Sequence, residues 1–129
     1  MSKKIAEYFL AELISWEQSF DFYKEEIGNL GIQLEEIIQR NSIVDIAAKV
    51  EAHQILLNEM LDRFNKISVE IYKQKKQIQP ISDIIADADL SIQIRSQQDD
   101  VRTMVQNAEK DYIDVKYFCY EFLSETLNK

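Results

Sequence analysis

Turn-forming residues are scarce in this chain: its 129 residues include only two glycines and one proline. A β-sandwich or barrel needs a turn about every 8–12 residues, and Gly and Pro form many of those turns. The composition therefore excludes these β folds and favours a few long helices. Glycine-rich phosphate-binding and dinucleotide-binding loops are excluded for the same reason. The single cysteine cannot form an internal disulfide, and the single histidine excludes most zinc sites, so we expect no metal and no cofactor.

The charge is predominantly acidic, with 23 acidic against 15 basic side chains and a net charge of −8. Acidic surfaces repel phosphate backbones, so we expect no nucleic-acid partner. Glu7, Glu12 and Glu17 interrupt the N-terminal apolar residues, which argues against a secretory signal. We find no uncharged run of 18 residues and so expect no membrane span. Together with the lone thiol, these features predict a cytoplasmic protein.

Apolar residues recur at alternating steps of three and four, which is the heptad pattern of coiled-coil helices. The pattern predicts helices over about 3–40, 42–78 and 90–127, with a linker at about 79–89 that begins before Pro80. Three helices of similar length predict an all-α, antiparallel up-down-up three-helix bundle, with 1–129 as a single domain. The predicted core positions are Phe9, Leu13, Trp16, Phe20, Tyr23, Ile27, Leu30, Leu34 and Ile37; Ile43, Ile46, Val50, His53, Leu57, Met60, Phe64, Ile67, Ile71, Gln74 and Ile78; and Val101, Val105, Ala108, Tyr112, Val115, Cys119 and Phe122.

Two segments resemble a known group of proteins. The first runs from Trp16 through Phe20, Phe22 and Tyr23 to Asn41, and it resembles the opening helix of small uncharacterised bacterial coiled-coil proteins. The run Val50-Glu51-x-x-Gln54 with the later Leu61-Asp62 is similar to their second helix, although an aromatic residue stands there in place of His53. The resemblance implies a helical bundle of unknown function and brings no catalytic residues.

One candidate site lies near the middle of the bundle. Counting residues from the helix ends places Gly28 and Gly31 level with His53, Val115 and Cys119, so we expect these five to share one or two core layers. A Cys–His pair there could form a thiolate nucleophile. Burial in apolar surroundings would instead make the thiol inert, and no oxyanion donor is identifiable. Space beside the glycines could also hold a small apolar ligand between the helices.

A second candidate is an apolar stripe on the last helix. Ile113, Tyr117 and Tyr120 are spaced by four and three residues, and they fall on nearly the opposite side from the core positions of that helix. A three-helix monomer has no element left to cover this stripe, and Tyr is enriched at interfaces. Alternatively, the rings lie along the helix with their hydroxyls in water.

These features predict a non-catalytic coiled-coil protein that associates with itself, as a homo-oligomer, or with a helical protein partner. Carriage of a small apolar ligand is the first alternative. A thiol enzyme that uses Cys119 and His53 is the more remote one.

Overall fold

The computed structural model describes residues 5–40, 44–82 and 91–127, and all of these except Ser91 are helical. Helix α1 spans Ile5–Arg40, α2 spans Val44–Ser82 and α3 spans Ile92–Leu127. The described residues contain no strand, and the helices pack against one another. The prediction of an all-α three-helix bundle is confirmed.

The directions of the helices follow from which residues meet. Phe20 of α1 packs on Phe64 of α2, and Arg63 of α2 pairs with Asp111 of α3. Nearer the start of α1, Glu17 meets Lys75, so residue numbers rise in α1 as they fall in α2. Between α1 and α3 the numbers rise together, since Glu12 meets Gln98 while Glu26 meets Tyr112. The topology is therefore up-down-up, with α2 antiparallel to both neighbours.

Two helix boundaries differ from the expected positions. Helix α2 continues through Pro80 to Ser82 instead of ending at residue 78. Pro80 lacks the N–H that would bond the carbonyl of Lys76, but both residues are exposed, so water can satisfy that carbonyl. Helix α3 begins at Ile92 because Ser91 caps it: the Ser91 Oγ accepts a hydrogen bond from the Ile94 N–H at 3.1 Å.

The predicted helix ends at residues 40 and 127 agree with Arg40 and Leu127. The predicted starts at residues 3 and 42 lie outside the described residues. The predicted linker, at about 79–89, is wrong over 79–82, which are helical. Its remainder, 83–89, also lies outside the described residues.

The core follows the heptad positions closely. In α2 every predicted position from Val50 to Ile78 is buried, including His53 and Gln74. In α1 the predicted Phe9, Trp16 and Tyr23 are only half-buried. The buried apolar residues are Ala6, Leu13, Phe20, Ile27, Leu30, Leu34, Ile37, Val50, Leu57, Met60, Phe64, Ile67, Ile71, Ile78, Val101, Val105, Ala108, Tyr112, Cys119 and Leu123. No described helix combines the length and the apolar character needed to cross a membrane.

An aromatic cluster stands at the centre of the bundle. The Phe20 and Phe64 rings lie 4.7 Å apart, and Tyr23 and Tyr112 close the cluster with ring centroids 5.1 Å apart. Tilted and edge contacts of this kind stabilise a core beyond the area they bury. These aromatic residues are therefore part of the packing that holds the three helices together.

Candidate functional site

The main exposed apolar feature of α3 consists of Ile113, Tyr117 and Tyr120, which we call the α3 outer face. Their side chains are 50%, 59% and 40% exposed. The rings of Tyr117 and Tyr120 meet edge to face, with centroids 6.2 Å apart. Beside them lies a shallow depression of about 370 Å³, which Tyr117 and Tyr120 line with Glu121, Ser124 and Glu125. The structure thus brings the three predicted interface residues together on one surface, where no described part of the chain covers them.

Charged side chains border the α3 outer face on both ends. Lys110 lies two turns before Tyr117, and Glu121 lies one turn after it. Both are exposed, and neither forms an ion pair with another described residue. The face therefore has a cation at one end and a carboxylate at the other, and the exposed carboxylate of Asp114 lies between Lys110 and Tyr117.

Contacts with α1 fix the orientation of this part of α3. The Tyr112 hydroxyl donates to Glu26 at 3.0 Å, and Lys116 pairs with the same carboxylate at 3.1 Å. The Tyr23 hydroxyl of α1 donates to Glu109 at 2.6 Å. Burial and the bond to Glu109 raise the pKa of the Tyr23 hydroxyl, so this hydroxyl stays protonated and remains a donor. These contacts hold one side of α3 against α1 and leave Tyr117 pointing outward.

A second feature, the His53 cleft, opens between α2 and α3. It is a cavity of about 340 Å³. Its lining residues are Lys49, Ala52, His53, Phe118, Glu121, Phe122 and Glu125. His53 lies between two phenyl rings, with centroids 4.5 Å from Phe118 and 4.7 Å from Phe122. The lining combines three aromatic rings with three charged groups, and small-molecule sites likewise combine apolar surface with a few polar groups.

The imidazole of His53 is buried and electrically neutral at physiological pH. It is 5% exposed, and its Nδ1 atom has no hydrogen-bond partner among the described residues. Burial lowers its pKa below the usual 6.5, because a charged imidazolium would lose its hydration there. An unpaired buried polar atom lowers the stability of the fold by about 1–3 kcal/mol. Packing alone therefore does not account for a histidine at this buried position.

Cys119 lies next to Phe118 on α3, but its thiol is not activated as a nucleophile. Its side chain is fully buried, and burial raises the pKa of the thiol to about 11. No hydrogen bond joins it to His53 among the described residues. A thiol nucleophile needs a lowered pKa and access to substrate, and the geometry around Cys119 offers the reverse of both.

The expected placement of the two glycines is wrong. Gly28 is exposed, Gly31 is half-buried, and a Cβ atom added to either would have no neighbour within 4 Å. Both follow core residues, Ile27 and Leu30, by one position, which turns them about 100° away from the core. Gly31 instead lines a surface groove of about 350 Å³ between α1 and α2, beside Leu57.

A buried polar cluster is the feature that the sequence reasoning missed. Gln98 is fully buried, and its Nε2 donates to the Phe9 carbonyl at 3.2 Å and to Glu12 at 2.9 Å. Arg102 forms two further bonds to the same Glu12 carboxylate, at 2.7 and 2.8 Å. The signal was available: Gln98 lies three residues before Val101, so it continues the heptad pattern of α3 toward its N-terminus.

The basic residues near the end of α2 are engaged within the chain. Lys75 pairs with Glu17 at 2.9 Å, and Lys73 lies 3.7 Å from Glu70. Lys76 lies over the ring of Tyr72, 5.3 Å from its centroid. Surface contacts of this kind are weak, but they give each lysine a local partner.

Groups of three or more His, Cys, Asp or Glu side chains placed to hold a metal ion are absent from the described part of the chain. No protein family, curated protein sequence or solved structure matches the chain. The resemblance to bacterial coiled-coil proteins therefore stays a prediction.

Proposed function

We propose that this protein is a non-catalytic, cytoplasmic association protein that pairs with a second copy of itself through the α3 outer face. The observation that supports the proposal is the exposure of Ile113, Tyr117 and Tyr120 side by side on a bundle whose core is already filled. Single exposed apolar residues need no explanation, but a contiguous aromatic group favours an interface.

Charge complementarity favours a second copy in antiparallel orientation. If the two-fold axis passes near Tyr117, Lys110 of one copy faces Ser124 of the other, because these residues lie seven positions before and seven after Tyr117. Glu121 and Glu125 flank Ser124 within one turn of helix. Each Lys110 then meets a carboxylate, twice per dimer. A parallel pair would set Glu121 against Glu121, which is repulsive.

The interface should be weak. Three side chains per copy, even with bordering contacts, bury less than the roughly 1,200–2,000 Å² of a stable complex. Two-fold pairing is the commonest symmetry of oligomers, and it doubles every contact that one copy makes. We therefore expect a monomer–dimer equilibrium that depends on protein concentration.

Replacement of both tyrosines tests the apolar part of the interface. Sedimentation equilibrium of wild-type protein should show a mass that rises with concentration, and Tyr117→Glu/Tyr120→Glu should remain monomeric with an unchanged helical circular dichroism spectrum. The matched control is Tyr8→Glu/Tyr72→Glu, which alters two exposed tyrosines outside the α3 outer face and should still dimerise. Wild-type protein that is monomeric at high micromolar concentration would contradict self-association.

A charge exchange tests the antiparallel orientation separately. Lys110→Glu and Glu121→Lys should each weaken dimerisation, because each places like charges together across the two-fold axis. The double variant Lys110→Glu/Glu121→Lys should restore it, since the pair is re-formed with its signs reversed. If the double variant is as weak as the singles, the copies do not meet in this orientation.

The alternative function, carriage of a small apolar ligand, has less support than the sequence suggested. Gly28 is exposed, and Gly31 lines a surface groove between α1 and α2 instead of an enclosed core layer, so the enclosed location expected for an apolar ligand is not formed by the described residues. The His53 cleft offers a different location with a charged edge.

A further inference from the structure

The His53 cleft has room for a ligand group with a ring. Its volume of about 340 Å³ lies at the lower end of the range for small-molecule sites, roughly 300–1,000 Å³. Ala52 contributes to this room, because its short side chain on α2 faces the Phe118–Phe122 side of α3. The cleft is open to solvent on one side, so a ligand can enter without unfolding the bundle.

The walls of the cleft favour a positive charge. Phe118 is half exposed beside the imidazole, and Phe122 forms the other wall of the stack. The face of an aromatic ring carries partial negative charge and attracts ammonium and guanidinium groups within about 6 Å. Two phenyl rings at one opening thus provide a partly enclosed aromatic surface for such a group.

The charged groups at the edge of the cleft also favour a positively charged ligand. Glu121 and Glu125 lie one turn apart on α3, and neither forms an ion pair with another described residue. Among the described residues, Lys49 is the only cation that lines the cleft, so this part of the lining carries more negative than positive charge. His53 adds no positive charge at neutral pH, and its unpaired Nδ1 is a hydrogen-bonding atom that the fold leaves unused.

We propose that the His53 cleft binds an organic cation: an ammonium, amidinium or guanidinium group on an apolar body about the size of one ring. The cationic head lies over the phenyl rings of Phe118 and Phe122 and within reach of Glu121 and Glu125, and the apolar body packs beside these rings. The cleft shares Glu121 and Glu125 with the depression beside the α3 outer face, whereas Tyr117 and Tyr120 do not line the cleft.

Three probes of nearly the same shape and different charge test the proposal. Benzamidinium is a cation, benzamide is neutral and benzoate is an anion. Binding to the full chain is followed by the ¹H–¹⁵N NMR shifts of α2 and α3 near the cleft. Benzamidinium should bind about tenfold more tightly than benzamide, because it adds a modest cation–π contact and a surface ion pair. Benzoate should bind most weakly. Equal binding of all three, or a preference for benzoate, would overturn the proposal, as would no binding of benzamidinium at millimolar concentration.

Variants locate the bound probe. Ala52→Trp should fill the cleft and abolish the benzamidinium shifts, whereas Ala48→Trp, at an exposed position one turn earlier on α2, should leave them unchanged. Glu121→Gln/Glu125→Gln should remove most of the preference for benzamidinium over benzamide, while Glu51→Gln/Glu59→Gln, with two exposed carboxylates on α2, should not. Shifts that persist in Ala52→Trp would place the probe elsewhere and contradict the proposal. Because Ala52 lies outside the α3 outer face, the concentration dependence of the mass of Ala52→Trp stays a separate readout of dimerisation.

Discussion

Gln74 donates a hydrogen bond from its Nε2 to the Oε1 of Gln98 at 3.1 Å, in a part of the bundle where both side chains are almost inaccessible to water. The same Nε2 also bonds the Ile94 carbonyl at 3.0 Å. Through Glu12, this amide pair joins all three helices at one level. Buried polar contacts of this kind can set the register of helices even where they add little stability.

The Gln74–Gln98 pair should show energetic coupling. We expect Gln98→Ala to lower the free energy of unfolding by about 1–3 kcal/mol, because Gln74 and Glu12 each lose a partner in a buried place. The double variant Gln74→Ala/Gln98→Ala should cost less than the sum of the two single variants. Urea unfolding of the four proteins in the cycle measures this coupling.

The exposed ion pair between Arg63 and Asp111 is the control for that cycle. Its coupling should be below about 1 kcal/mol, since water screens both groups. Strictly additive effects of Gln74→Ala and Gln98→Ala would show that the two amides do not act together.

Gly31 should tolerate a side chain. It lies inside a helix without a positive φ angle, and its added Cβ would meet no atom within 4 Å. We expect Gly31→Ala to raise the free energy of unfolding by about 0.5–1 kcal/mol, because Ala restricts the unfolded chain and favours helix. Gly31→Leu should also not destabilise the fold.

Ala108→Leu is the contrasting substitution, because Ala108 is fully buried. There the larger side chain should cost about 1–3 kcal/mol by overpacking. A comparable loss in Gly31→Leu, measured by thermal or urea unfolding, would mean that α1 packs closely around Gly31 after all.

The glycines also show which parts of the structure the heptad pattern could predict. The pattern identifies the core side of each helix, because a 3–4 spacing maps directly onto one face of a helix. It therefore placed Phe64 and Val105 correctly in the core. The expected Gly28–Gly31 layer used only the position along the bundle axis. It ignored the angle around α1, which turns both glycines outward.

The level at which helices meet could be predicted only approximately. Counting from the helix ends put His53 level with Val115 and Cys119, whereas its ring packs on Phe118 and Phe122. A shift of a few residues is set by side-chain packing between helices and by the connections, and neither is visible in the spacing of apolar residues. For the same reason, the sequence indicated that His53 is buried but not that two phenyl rings enclose it.

Cys119 should react slowly with thiol reagents. Its pKa of about 11 leaves very little thiolate at pH 7.5, and its side chain is inaccessible. We expect alkylation by iodoacetamide to be slow in native protein and complete in denaturant. The matched control is Cys119→Ala/Ser96→Cys, whose thiol lies at an exposed position on α3 away from the α3 outer face and should react rapidly in the folded state. Rapid labelling of native wild-type protein would revive the thiol-enzyme alternative.

His53 should make the stability depend on pH. Its pKa is lowered in the folded state, while the unfolded chain binds a proton near pH 6.5, so the unfolded state binds more protons as the pH falls. The free energy of unfolding should therefore be highest above pH 6.5, and it should decline as the pH falls below that value toward the lower pKa of the folded state. Protonation would place an imidazolium between Phe118 and Phe122 with little hydration.

The variant His53→Phe isolates this effect, because it keeps an aromatic ring in the stack and removes the proton-binding group. Urea unfolding between pH 5 and 7.5 should show that the difference in stability between His53→Phe and wild-type protein grows as the pH falls. The other charged groups that line the cleft are Lys49 on α2 and Glu121 and Glu125 on α3. A pH-independent difference between His53→Phe and wild-type protein would mean that His53 has the same pKa in the folded and unfolded chain, and that the imidazole reaches water in the native bundle.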